Sequence, residues 1–181
     1  MKNNKRGVSQ VVATVLIILT TISAVAILYA FVVPFVKNSL TRSTECMPYQ
    51  EFYTFDELGY NCYNSTLYAL SIKTKFDKSL ANNTEGLKIV LTERGGLNKI
   101  IDIRNGMQSS SEEGGVWILN NANDKLRIAG AGGVITYVYH ALEGEEFITA
   151  EVYPVLKSGR ICADVKEEIK LVSCSSDKII R

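Results

Sequence analysis

The sequence predicts a membrane-spanning α-helix at the N-terminus, followed by an all-β antiparallel sandwich. Three observations predict it. No Asp, Glu, Lys, Arg or His occurs between Val8 and Val36. Beyond that stretch, apolar residues alternate with polar ones in short runs separated by glycine-containing turns. All four cysteines fall in this second part.

The helix comes first. Val11 to Val33 reads VVATVLIILTTISAVAILYAFVV, and fourteen of these residues are Val, Ile, Leu or Phe. About 20 apolar residues cross a hydrocarbon core. Each large aliphatic favours insertion by roughly 0.3–0.6 kcal/mol. The polar members are Thr14, Thr20, Thr21, Ser23 and Tyr29. A Thr or Ser hydroxyl bonds to the carbonyl one turn back and so enters lipid at little cost. Backbone groups in lipid must be satisfied within the segment, which forces a helix despite the β-branched content. An ordinary secretory signal cut at Ala24-Val25-Ala26 would leave Ile27 to Val33 exposed on the mature protein, which disfavours that reading. Lys2, Lys5 and Arg6 precede the segment, and Lys37 and Arg42 follow it. This excess places the N-terminus in the cytoplasm and the C-terminal domain outside. Pro34 is expected to kink or end the helix. The helix is assigned to residues 8–40 and the outer domain to residues 41–181.

The strands follow in order. Tyr68, Leu70, Ile72 and Phe76 share one face against Ser71, Lys73 and Lys75. Leu87, Ile89 and Leu91 alternate with Lys88 and Thr92, and Ile101 and Ile103 with Asp102 and Arg104. Leu126 and Ile128 alternate with Lys125 and Arg127. Val134 to Tyr139 is apolar on both faces, as a central strand requires. Phe147 to Tyr153 alternates, with Glu151 pointing away, and Val165 to Val172 supplies the last strand. Gly95-Gly96, Asn105-Gly106, Gly114-Gly115 and Ser158-Gly159 mark turns. About eight short strands at this spacing point to an immunoglobulin-like sandwich. Trp117 reads as a core residue or a contact between subunits.

The composition excludes some classes of function. The chain carries 20 Lys+Arg and 19 Asp+Glu. Setting aside Lys2, Lys5 and Arg6 leaves 17 against 19, a remainder of about −2. Such a domain has no basic field to hold phosphates, so no nucleic-acid partner is expected. The single histidine, His140, reads as an ordinary strand residue. Glu143, Glu145 and Glu146, like Asp164, Glu167 and Glu168, read as solvated turns. No nucleophile motif, phosphate loop or metal-ligand spacing occurs, so neither an enzyme nor a cofactor is expected.

Cys46, Cys62, Cys162 and Cys174 form an even set outside the membrane, which implies disulfides. Three pairings are possible. Cys46–Cys62 and Cys162–Cys174 are favoured because each closes a short local loop. Asn64-Ser65-Thr66 and Asn82-Asn83-Thr84 match the N-glycosylation acceptor pattern, and the nearby Cys62 is expected to restrict access to Asn64.

The entry to the helix reads Lys5-Arg6-Gly7-Val8-Ser9-Gln10-Val11-Val12. This resembles the class III signal of archaeal type IV pilin-like proteins, a superfamily that includes archaellins. The resemblance covers about the first 36 residues. It implies a leader of residues 1–7, cut between Gly7 and Val8 by a prepilin peptidase. It also implies that the helix stays on the mature protein, self-associates as a filament core and engages the pilus assembly machinery. Ala13, Ser23, Ala24, Ala26 and Ala30 are small enough for close helix approach. Bacterial pilins carry Glu at the fifth mature position, where this chain has Val12. Archaeal members commonly lack that Glu, so the resemblance points to an archaeal source. The expected function is that of a structural subunit of a type IV pilus-like or archaellum-like surface filament. The alternative is a single-pass anchored surface protein whose β domain binds a partner without polymerising.

Overall fold

The computed structural model describes residues 6–122 and 124–175. Helix α1 runs without interruption over Arg6–Cys46, 41 residues. Pro34 lies inside it and does not end it. Proline removes one backbone donor, but a helix continues when its other hydrogen bonds hold it on both sides. The helix therefore extends beyond residue 40. The chain divides into two compact units, residues 1–45 and 46–181.

The second unit is built of strands. In chain order these are β1 (Tyr53–Phe55), β2 (Asn61–Asn64), β3 (Leu67–Thr74), β4 (Thr84–Glu93), β5 (Asn98–Arg104), β6 (Val116–Ile118), β7 (Val134–His140), β8 (Phe147–Leu156), β9 (Glu167–Lys170) and β10 (Val172–Ser173). A short helix, α2 (Lys78–Asn83), joins β3 to β4. Asp77 caps it by accepting hydrogen bonds from the Ser79 and Leu80 amides, filling donors that a helix start leaves open. One sheet has the order β10-β2-β3-β7-β6, with β1 also paired to β3. The other has the order β5-β4-β8-β9. Among the described residues every ladder is antiparallel except β10 with β2, which is parallel.

The period-two patterns bury the expected faces. Tyr68, Leu70 and Ile72 from one sheet meet Leu87, Ile89, Leu91, Ile103 and Val152 from the other in a shared core. Each such side chain, fully buried, contributes roughly 1.5–3 kcal/mol. Tyr68 packs edge-on to Phe147, with centroids 5.2 Å apart. The β7 strand lies between β3 and β6, and Tyr137, Val138 and Tyr139 are buried on both of its faces. This is the central strand the sequence predicts.

Three strand expectations change. Phe76 is exposed, because β3 ends at Thr74 before reaching it. Lys125 to Ile128 is not a strand. Leu126 fills the core, and its N–H donates to Met107 O (2.7 Å) while its own carbonyl accepts from Gly106 N–H (2.8 Å). Its neighbour is thus a turn, in which Gly106 has φ +85°, and a turn cannot continue a ladder. The strand expected over Val165 to Val172 breaks into a 3₁₀ turn (Ala163–Val165), β9 and β10, and the last two join different sheets.

A second, smaller cluster lies on the opposite face of the first sheet. Trp117 packs there with Ala69 and Val138, bordered by Tyr60, Leu67, Leu119 and Cys174. Both β1 and β2 pair with β3, and the chain between them bends at Gly59. A Cβ at Gly59 would lie 2.2 Å from Cβ of Ser71, so only glycine permits that approach.

Candidate functional site

The unit that includes α1 is set by its surface. Within α1, Val11–Lys37 is long and apolar enough to cross a membrane, and none of it is buried. Val11, Ile17, Leu19, Val25, Ile27 and Phe31 are all more than half exposed. These positions fall on every side of a helix with 3.6 residues per turn, so no single face is the greasy one. The hydroxyls are satisfied internally. Thr14 donates to Val11 O (2.9 Å), Thr20 to Ile17 O (2.9 Å), Thr21 to Ile18 O (2.8 Å) and Ser23 to Leu19 O (2.8 Å). The segment therefore presents an apolar cylinder with no unmet donor among these groups. At 1.5 Å per residue its 27 residues span about 40 Å, against about 30 Å of hydrocarbon.

Of the predicted leader residues, Arg6, Gly7 and Val8 lie in the first turn of α1, so the Gly7–Val8 bond is helical. Lys5 lies outside the described residues.

The cysteines pair differently from the expectation. Cys46 bonds to Cys162 and Cys62 to Cys174, with sequence separations of 116 and 112. The local pairings Cys46–Cys62 and Cys162–Cys174 are wrong. Topology decides the matter: β10 runs parallel to β2 with Val172 opposite Cys62, which delivers Cys174 beside Cys62. Cys162 is fully buried after β8 and meets Cys46, the last residue of α1.

The titratable clusters are tied into the fold by hydrogen bonds and ion pairs. His140 Nδ1 lies 3.0 Å from Ser111 O and ties a loop to the end of β7. Glu145 does not sit in a solvated turn. Its carboxylate accepts from the Tyr139 hydroxyl (3.0 Å), the Leu142 N–H (2.9 Å) and the Lys99 ammonium (3.3 Å). Burial pushes the Glu145 carboxyl up, but these three donors outweigh it and hold the group below its ordinary value. Lys99 also stands 5.7 Å over the Tyr139 ring. Sequence reasoning missed this knot, since the Glu145 partners on β5 and β7 are set by the fold. Glu151 accepts from Lys166 and Tyr153, and Lys166 also faces Glu168 at 3.7 Å. Among the described residues no group of three or more His, Cys, Asp or Glu is placed to hold a metal.

Both sequons lie in the β unit. Asn64 ends β2 and is exposed, and Cys62 does not cover it. Asn82 lies in α2 and is also exposed. No family model matches the chain, and no curated protein matches it.

Proposed function

We propose that the chain is a structural subunit of a type IV pilus-like or archaellum-like surface filament and polymerises through α1. The observation that carries this reading is the apolar cylinder of Val11–Lys37, exposed on every side and longer than a bilayer requires. A plain anchor needs about 20 apolar residues. The surplus of about 10 Å suits burial among copies of the same helix, whose close approach the small side chains permit. The basic residues and glycine at its entry supply the processing signal. In this reading the N-terminus begins in the cytoplasm, the β unit lies outside, and its two sheets form an immunoglobulin-like sandwich.

Processing separates the filament from the anchor. A filament core that kept Lys5 and Arg6 would bury unpaired charge at a cost of several kcal/mol each. An anchor needs those charges at the cytoplasmic surface. Mass spectrometry of the native N-terminus is expected to find Val8 as the first residue. Gly7→Leu is expected to block the cut and abolish filaments while the protein stays in the membrane. An intact start upstream of Lys5 in filament-free membranes would refute the proposal and leave the anchored surface protein.

A further inference from the structure

The two sequons share a pattern but stand in different structures. We propose that Asn64 is an N-glycan attachment site and that Asn82 remains bare. The acceptor motif joins an amide to a hydroxyl two residues on, and a transferase must engage both at the surface. Asn64 sits at the tip of the β2–β3 hairpin, directly opposite Leu67. The two loop residues are Ser65, with φ +54°, and Thr66. Asn64 and Ser65 are exposed and Thr66 is half-buried. Thr66 is held through its carbonyl, which accepts from the Ala141 N–H at 2.8 Å. Among the described residues, no hydrogen bond engages the Asn64 amide or the Thr66 hydroxyl. The hairpin thus places an exposed asparagine two residues from a half-buried threonine whose hydroxyl no described residue engages.

The second sequon is closed. Thr84 is only 4% exposed, and its hydroxyl donates to Leu80 O at 2.8 Å. Asn82 and Asn83 are in α2, and the Asn83 carbonyl accepts from the Lys157 N–H at 2.9 Å. Presenting Asn82 with its hydroxyl would require unwinding the end of α2 and withdrawing Thr84 from the core at the start of β4. Exposure of the Asn82 side chain alone does not supply the second half of the motif.

The chemistry is a group transfer from an oligosaccharide carried on a lipid phosphate. Asn64 Nδ2 loses a proton and forms a bond to the anomeric carbon. The bond from that carbon to the phosphate oxygen breaks, and the lipid phosphate leaves with the electron pair. No oxidant or reductant takes part. The proposal requires the β unit to lie outside the cytoplasm, but it does not require polymerisation. Its failure and that of the filament reading are therefore distinguishable.

Glycopeptide mass spectrometry of the protein from its native membranes is the test. The expected result is glycan mass on the peptide containing Asn64 and none on the peptide containing Asn82. Asn64→Gln is expected to remove all glycan, and Asn82→Gln none. Thr66→Val, which keeps the asparagine, is expected to lose the glycan, and Thr66→Ser to retain it. A bare Asn64 in the native protein, a glycan on Asn82, or an unchanged glycan in Thr66→Val would each overturn the proposal.

Discussion

Removing the disulfides one at a time tests the pairing and the way the two bridges share their effect. A bridge stabilises mainly by shortening the unfolded chain's freedom, as the logarithm of the loop it closes. Alone, a loop of 116 residues is worth about 4.8 kcal/mol. The two loops interleave, however, since Cys62 lies inside the first and Cys174 outside it. With Cys46–Cys162 formed, the short path from Cys62 to Cys174 runs 16 residues back to Cys46, across the bridge, and 12 residues on from Cys162. That path of 28 steps makes the second bridge worth about 3.6 kcal/mol. The same path applies with the roles reversed. Replacing either pair with alanine should therefore cost about 3.6 kcal/mol, and replacing both about 8.4, more than the sum of the singles. Local pairing would give about 3 kcal/mol per bridge and simple additivity. Guanidinium unfolding of the full chain in mild detergent, followed by fluorescence, measures the difference. The chain has one tryptophan, Trp117, buried beside Cys174 in the outer cluster, so the signal reports on the β unit. Additive losses, or a single loss well below 2 kcal/mol, would refute the reasoning.

Other outcomes follow from single residues. Gly86→Ala would set a Cβ 2.3 Å from the Ile103 carbonyl oxygen in the middle of a sheet, and is expected to destabilise by about 3 kcal/mol in the same unfolding assay. Glu145→Gln should flatten the acid limb of stability. Because the folded carboxyl is held low, its contribution is full above its unfolded value of about 4.3 and is lost as pH falls through the folded value. Melting temperatures across that range should drop for the parent and change less for the variant, and parallel curves would contradict this. Deleting residues 1–36 should give a soluble, monomeric, β-rich protein by circular dichroism and sedimentation, since the second compact unit begins only at Cys46.

What the sequence revealed depended on whether the cause was local. Alternation along one strand is local, so β3, β4, β5, β7 and β8 were legible within a residue or a few of their bounds. The β1, β2 and β6 strands, of three or four residues, are too short for a period to register. Asn61-Cys62-Tyr63-Asn64 carries no apolar alternation at all, and forms a strand only because β3 lies beside it. Lys125 to Ile128 has the alternation without a partner edge, so its pattern misleads. The helix and its self-satisfied hydroxyls were legible because every bond involved lies within one turn. The cysteine pairing was not, because it depends on where the last strand docks.

The bridges lie where the β ladder is weakest. The β1 strand has three residues and β10 has two, and short terminal strands fray because few hydrogen bonds oppose the entropy they release. Cys46 precedes β1 by seven residues and is tied to the buried Cys162 behind β8. Cys174 follows β10 directly and is tied to β2. Each end of the unit is thus fastened covalently to a segment held by long strands.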